Sequence, residues 1–208
     1  MRSSRVLEML NQNRIDELKV ALQDEIFTES LKNKPNAKKR YAAMKKYISY
    51  TSGAREILQK PCPVEIEGEH YMSFCNSYSL ALTRESCGEI PQCEEPDRYP
   101  PVARLLNYDG TVGKIDFGRV IAEAKSKGYK ATKTAIYTND YLMHYGGAYF
   151  RIALIDITYG IIDDGKEARV FHVDGARRSM TITTDIGVAV VMPVFMDGEP
   201  NGTVIEVN

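Results

Sequence analysis

The chain lacks tryptophan, holds only three histidines, and contains no apolar run approaching the ~20 residues that cross a bilayer. The last absence excludes a membrane-spanning helix. The opening Met1-Arg2-Ser3-Ser4-Arg5 is not followed by an apolar stretch, because Glu8 and Asn11 interrupt it, so no export signal is expected and the chain reads as cytoplasmic. Zinc-type spacing is also missing. Cys62, Cys75, Cys87 and Cys93 form no Cys-x-x-Cys pair and have no histidine at ligand distance in sequence. They read as reduced thiols, and no metal or cofactor is expected.

Catalytic signatures are equally scarce. Gly146-Gly147 stands alone, without the spacing that cradles a nucleotide phosphate. No serine elbow or reactive-cysteine motif accompanies His70, His144 or His172. Alternation with Phe171 places His172 on the outer face of a strand. Asp163-Asp164-Gly165 reads as a helix-ending turn. No catalytic residue is assigned, and an enzyme whose site assembles around the irregular Cys87–Pro101 loop is kept as a third reading.

Acid is missing from one further place. Ser30 to Ala54 contains no Asp or Glu, while Lys32, Lys34, Lys38, Lys39, Arg40, Lys45 and Lys46 are all basic, in a chain whose net charge is only −1. Such a segment suits a polyanion, with Tyr41, Tyr47 and Tyr50 nearby as stacking groups.

What is present reads as an α+β chain. Ile15, Leu18, Leu22 and Ile26 form one apolar stripe of a helix capped by Asn13. Pro35 opens a second helix reaching about Tyr50, with Ala37, Tyr41, Met44 and Ile48 on its apolar face and the basic residues displayed outward. Ser52-Gly53 ends it. The period then changes, and Val64–Ile66, Tyr71–Phe74 and Tyr78–Leu82 read as a meander turning at Glu67-Gly68 and Asn76-Ser77. Asp116 caps a helix Phe117–Lys127 closed by Gly128. Lys130–Tyr137 and Tyr141–Tyr145 read as strands, Ala148–Ile161 as a helix, and Ala168–Val173, Ser179–Thr183 and Val188–Val194 as three more strands. Helix-then-three-strands occurs twice, which predicts two packed sheets with helices on one side. The divisions expected are a helical segment 1–34, an α+β domain 35–196 and a tail 197–208.

The second unit resembles a known family. Ala148-Tyr149-Phe150-Arg151-Ile152-Ala153-Leu154-Ile155-Asp156 resembles the helix that opens the last half-domain of the bacterial DNA polymerase III beta subunit, the sliding clamp. The order continues through Ala168-Arg169-Val170-Phe171 to Val190-Val191-Met192-Pro193-Val194. The basic run Arg40–Lys46 is similar to one in uncharacterised proteins of phages and mobile elements of Gram-positive bacteria. The resemblance implies a DNA-clamp-like domain of repeated helix-plus-antiparallel-strand units and a non-enzymatic role binding DNA, replication proteins or both. It assigns an apolar peptide groove to Met192, Pro193, Val194 and Met196. It also implies helix-borne phosphate contacts, for which Arg119, Lys125 and Lys127 are available. The departures are room for about one domain, and Val194-Phe195 where the family carries Met-Arg. A regulatory module that captures a host protein through the groove, without DNA contact, is the second reading.

Overall fold

The computed structural model describes residues 10, 12, 14–32, 34, 36–51, 55–175, 177–196 and 198–207. Asn13, Pro35 and Ser52-Gly53, expected to start and end the first two helices, lie outside these residues. Two helices open the described chain, α1 (Ile15–Ser30) and α2 (Ala37–Tyr50). Ten strands follow: β1 (Cys62–Ile66), β2 (Glu69–Cys75), β3 (Ser79–Thr83), β4 (Thr111–Ile115), β5 (Tyr141–Tyr145), β6 (Ala148–Arg151), β7 (Ala168–His172), β8 (Met180–Thr183), β9 (Gly187–Val191) and β10 (Thr203–Glu206). Helix α3 (Phe117–Ser126) lies between β4 and β5, and α4 (Ile152–Ile162) follows β6 without a break.

The two expected meanders both form, and they join. A seven-stranded sheet runs β1-β2-β3-β9-β8-β7-β4, all antiparallel, with β3 and β9 as the seam between the meanders. The sequence predicted two packed sheets. The seam forms instead because the apolar edges Ser79–Thr83 and Gly187–Val191 pair with each other. Leaving both unpaired would have exposed two rows of backbone donors and acceptors. Turn chemistry fixes the registers locally. Glu67 (φ 53°) and Gly68 (φ 80°) make the two-residue β1–β2 turn. The Asn76 Oδ1 accepts from the N–H groups of Tyr78 (2.8 Å) and Ser79 (2.7 Å) ahead of β3.

Both faces of this sheet are covered, which is why β3 and β9 read as nearly continuous apolar runs. On one face Phe74, Ala81, Ala189, Val191 and Ile182 pack with α4 and α2 in the main core. On the other, Leu80, Leu82, Cys62, Cys75 and Val190 pack under Tyr99 and Val102, contributed by the segment after β3. Helix α4 carries the most apolar sequence and is buried on nearly every side. Full burial of each Ile or Leu there contributes about 1.5–3 kcal/mol. Both α2 and α3 pack on it. A Cβ on Gly160 of α4 would meet the Ala43 Cβ of α2 at 3.1 Å, so small residues set that close crossing.

Four sequence expectations change. Ala148–Arg151 is a strand, because Gly146 (φ 56°) and Gly147 (φ 73°) make a tight hairpin that pairs Tyr145 with Ala148. The run that resembles the clamp helix is therefore strand first and helix second. Lys130–Tyr137 is not a strand: the Thr132 hydroxyl accepts from Ala135 N–H (3.2 Å) and a 3₁₀ turn follows at Thr134–Ile136. Residues 203–206, expected as part of a tail, form β10, parallel to β5 in a second sheet of order β10-β5-β6. Finally, the α1 stripe buries only Leu18, while Ile15, Leu22 and Ile26 are exposed. Among the described residues, no helix is long and apolar enough to cross a membrane.

Candidate functional site

The seven basic residues of the 32–46 segment separate into two groups once packed. Arg40 is buried, contrary to the outward display expected of it. Its guanidinium meets Glu85 with two nitrogens (Nε–Oε2 2.7 Å) and donates from Nη1 to the Asp163 carbonyl (2.8 Å). Helical spacing places residue 40 with Ala37, Tyr41 and Met44 on the inward face, and the acid that neutralises it arrives from the far side of the fold. Lys45 pairs with Asp24 of α1 (2.9 Å) and Lys46 with Asp156 of α4 (3.0 Å), while Lys32 pairs with Glu29. Tyr41 and Tyr47 are buried, and Tyr50 donates to the Ala131 carbonyl (2.6 Å), so none is an open stacking platform.

Lys34, Lys38 and Lys39 remain. All three are exposed, and no ion pair engages them among the described residues. With Lys32, Leu31, Asn36 and Ala42 they line an open cleft of about 620 Å³ at the start of α2. Helix α2 has no acid in its first turn. Cations at this end oppose the helix dipole, a cost of roughly 0.3–1 kcal/mol per charge that an incoming anion would relieve.

The second basic group, on α3, is mixed. Arg119 and Lys125 are exposed, but Lys127 pairs with Glu123 (2.9 Å). The cleft beside Arg119 carries Asp116, Glu123, Glu167 and Glu206, which offset it and Lys114.

The peptide-groove positions are not gathered on an open surface. Pro193 and Val194 are buried, and Val194 N–H donates to the Tyr149 carbonyl (2.8 Å) alongside β6. Met192 and Met196 are only partly covered, and Phe195 between them is exposed. A different groove exists that the sequence reading missed. Val20 and Ala21 of α1, Tyr41 and Ile48 of α2, and Ile90-Pro91 line about 660 Å³, bordered by Asp16, Glu17, Asp24 and Glu89, with Lys45 beside Asp24. Burial pushes the Asp24 carboxyl up, but hydrogen bonds from the Tyr41 hydroxyl and Lys45, with the Lys45 charge, outweigh burial and hold it below the ordinary carboxylate value. Its signal in the sequence was present: Val20 breaks the single stripe, giving α1 more apolar surface than one face can bury.

The histidines fall into different settings. His172 is buried, not on the outer face, with Nδ1 3.3 Å from the Ser179 carbonyl and Nε2 3.2 Å from the Gly146 carbonyl. The strand alternates as read, but its inner face is the one holding Ala168, Val170 and His172. His144 Nδ1 meets Glu206 at 2.7 Å and its ring stacks on Tyr149. His70 is exposed. Asp163 and Asp164 accept from the N–H groups of Gly165 and Lys166 (2.8 and 3.0 Å), the turn expected of them. No group of three or more metal-ligating side chains converges among the described residues. Comparison with models of known protein families, with curated proteins and with solved structures finds no match to this chain.

Proposed function

We propose that this chain is a non-enzymatic, clamp-like binding protein that holds nucleic acid through its phosphates at the lysine cleft of α2. The observation that carries the reading is the set of exposed lysines, Lys34, Lys38 and Lys39, lining one cleft with no acid beside them in the helix. Lysine is a point-charge donor that contacts phosphate without reading bases. The clamp-like scaffold is supported by the two helix-and-meander units that meet at the β3–β9 seam. A phage or mobile-element setting rests on the resemblance of the Arg40–Lys46 run.

The test is anisotropy of a labelled duplex across a salt series. Three to four phosphate contacts predict a log–log slope of about −3, a loss of about 50-fold between 50 and 200 mM salt. Lys34→Glu, Lys38→Glu and Lys39→Glu together should abolish most of that slope, whereas Arg119→Glu with Lys125→Glu should change it little. Acids at this helix start favour the dipole, so lost binding would not reflect a weakened helix. No binding by the wild type, or equal slopes in wild type and triple variant, refutes the reading.

A second reading is favoured by α1, where Val20 is exposed in the α1–α2 groove and Ile15, Leu22 and Ile26 are exposed on another face of the helix. Apolar groups concentrated on one element mark protein contact more than chance. The acidic border of the α1–α2 groove suits a partner helix with an apolar stripe flanked by Lys or Arg. Val20→Glu should abolish capture of such a basic amphipathic peptide and leave duplex binding intact; equal peptide binding by both proteins removes this reading.

A further inference from the structure

Two of the four thiols are placed as a pair. Cys62 opens β1 and is fully buried, and Cys93 lies half-exposed in the loop after β3. The Cys93 N–H donates to the Pro61 carbonyl (2.8 Å), which pins the loop one residue from Cys62. Both side chains belong to the second core, Cys62 within it and Cys93 packed against it, and the Cys62 thiol donates to the Pro63 carbonyl (3.5 Å). Cys93 also opens on a surface cleft of about 240 Å³ lined by Glu56, Lys60, Glu94 and Arg98. One sulfur is therefore reachable from solvent, and the other is reachable only through it. Cys75 and Cys87 differ: both are buried, with thiols pushed up by burial to about 11 and about 12.

We propose that Cys62 and Cys93 form a thiol-modification site, at which a low-molecular-weight disulfide such as oxidised glutathione is exchanged for an intramolecular bridge. The Cys93 thiolate attacks one glutathione sulfur, forming a mixed disulfide and releasing one glutathione thiolate. Cys62 loses its proton to water and attacks the Cys93 Sγ, releasing the second glutathione. The protein loses two hydrogens and two electrons, and one oxidised glutathione becomes two reduced ones. The thiolate is the attacking form, and the Lys60 ammonium on the same cleft is held by Glu94 (2.7 Å). Burial, then the Cys93 charge, pushes the Cys62 thiol up to about 12. Order follows from access: Cys93 faces the cleft and reacts first, and the fully buried Cys62 resolves, slowly. Because the loop carries the Tyr99 cover of the second core, the bridge would tie that cover to β1.

The full reduced chain is incubated with oxidised glutathione, blocked with N-ethylmaleimide before and after unfolding, digested, and the linked peptides fragmented. The expected product carries a Cys62–Cys93 bridge, no glutathione, and maleimide on Cys75 and Cys87 only after unfolding. Cys93→Ser should remove the bridge, and Cys62→Ala should leave Cys93 as a lasting mixed disulfide. Wild-type protein that retains glutathione on Cys93, bridges another pair or a second chain, or stays reduced overturns the proposal. These readouts come from the wild type, so a variant that fails to fold does not remove the test.

Discussion

Arg40 and Lys38 are neighbours in a run of basic residues, yet the fold buries one and exposes the other, and stability should show it. Truncating Arg40 to Ala strips the Glu85 carboxylate of its two-nitrogen partner and leaves the Asp163 carbonyl without its donor. The Arg40 side chain is 5% exposed and that of Glu85 28%. Breaking a buried ion pair costs about 3–5 kcal/mol. The water still reaching Glu85 lowers the expectation to about 2–4 kcal/mol. With a urea dependence of about 3 kcal/mol per M for a chain of this size, the midpoint of unfolding should fall by about 1 M. Glu85→Gln should cost a similar amount, because it leaves the guanidinium buried without a counter-charge. Arg40→Met with Glu85→Leu should recover much of the loss, since an apolar pair needs no compensation. Lys38→Ala should stay within about 0.5 kcal/mol of the wild type. Far-ultraviolet circular dichroism follows the transition, and Arg40→Met and Glu85→Leu measured singly beside the double variant give the coupling. If Arg40→Ala and Lys38→Ala unfold at the same urea concentration, the separation of buried, paired cations from exposed ones is wrong.

Two further outcomes follow from particular contacts. At the β3–β9 seam a Cβ on Gly187 would meet the Leu82 carbonyl oxygen at 2.0 Å, so Gly187→Ala should destabilise the fold by about 1–3 kcal/mol; a thermal midpoint within 1–2 °C of the wild type, read with about 2–4 °C per kcal/mol, would contradict the close approach. Asp24 is held below its ordinary value of 3.8 in the folded chain. Its contribution to docking α1 on α2 is therefore complete above that value and lost as pH falls through the lower folded one. Protection of the α1 amides against hydrogen exchange, relative to the free-peptide rate at each pH, should fall below about pH 4, and an unchanged acid response in Asp24→Asn would place the cause elsewhere.

Much of the larger sheet was legible locally. Glu67-Gly68, Asn76-Ser77 and the Asp116 cap each carry their own turn or cap chemistry, and the strands beside them alternate or run apolar as their burial requires. Errors gathered where a short signal could be read two ways. In the sequence Gly146-Gly147 reads as a break before a helix, although a glycine pair between Tyr145 and the alternating Ala148–Arg151 is also hairpin chemistry. β10 could not be recognised as a strand by its turn, because it pairs in parallel with β5, some sixty residues earlier, across no local connection. The candidate site fared less evenly. Lys34, Lys38 and Lys39 stand out in the sequence as in the fold, whereas Arg40, Lys45 and Lys46 met acids from Glu85, Asp24 and Asp156.

By itself, then, the sequence determined the α+β class, two meanders each preceded by a helix, and a segment rich in lysine and empty of acid. Those properties reside in neighbouring residues, where turn geometry, alternation and helical period act over a few positions. The tertiary structure alone decided that the meanders share one sheet, that Pro193 and Val194 are packed away, and which cations stay unpaired. Each of these is a contact between residues far apart in the chain, settled by what the collapsed core leaves beside them.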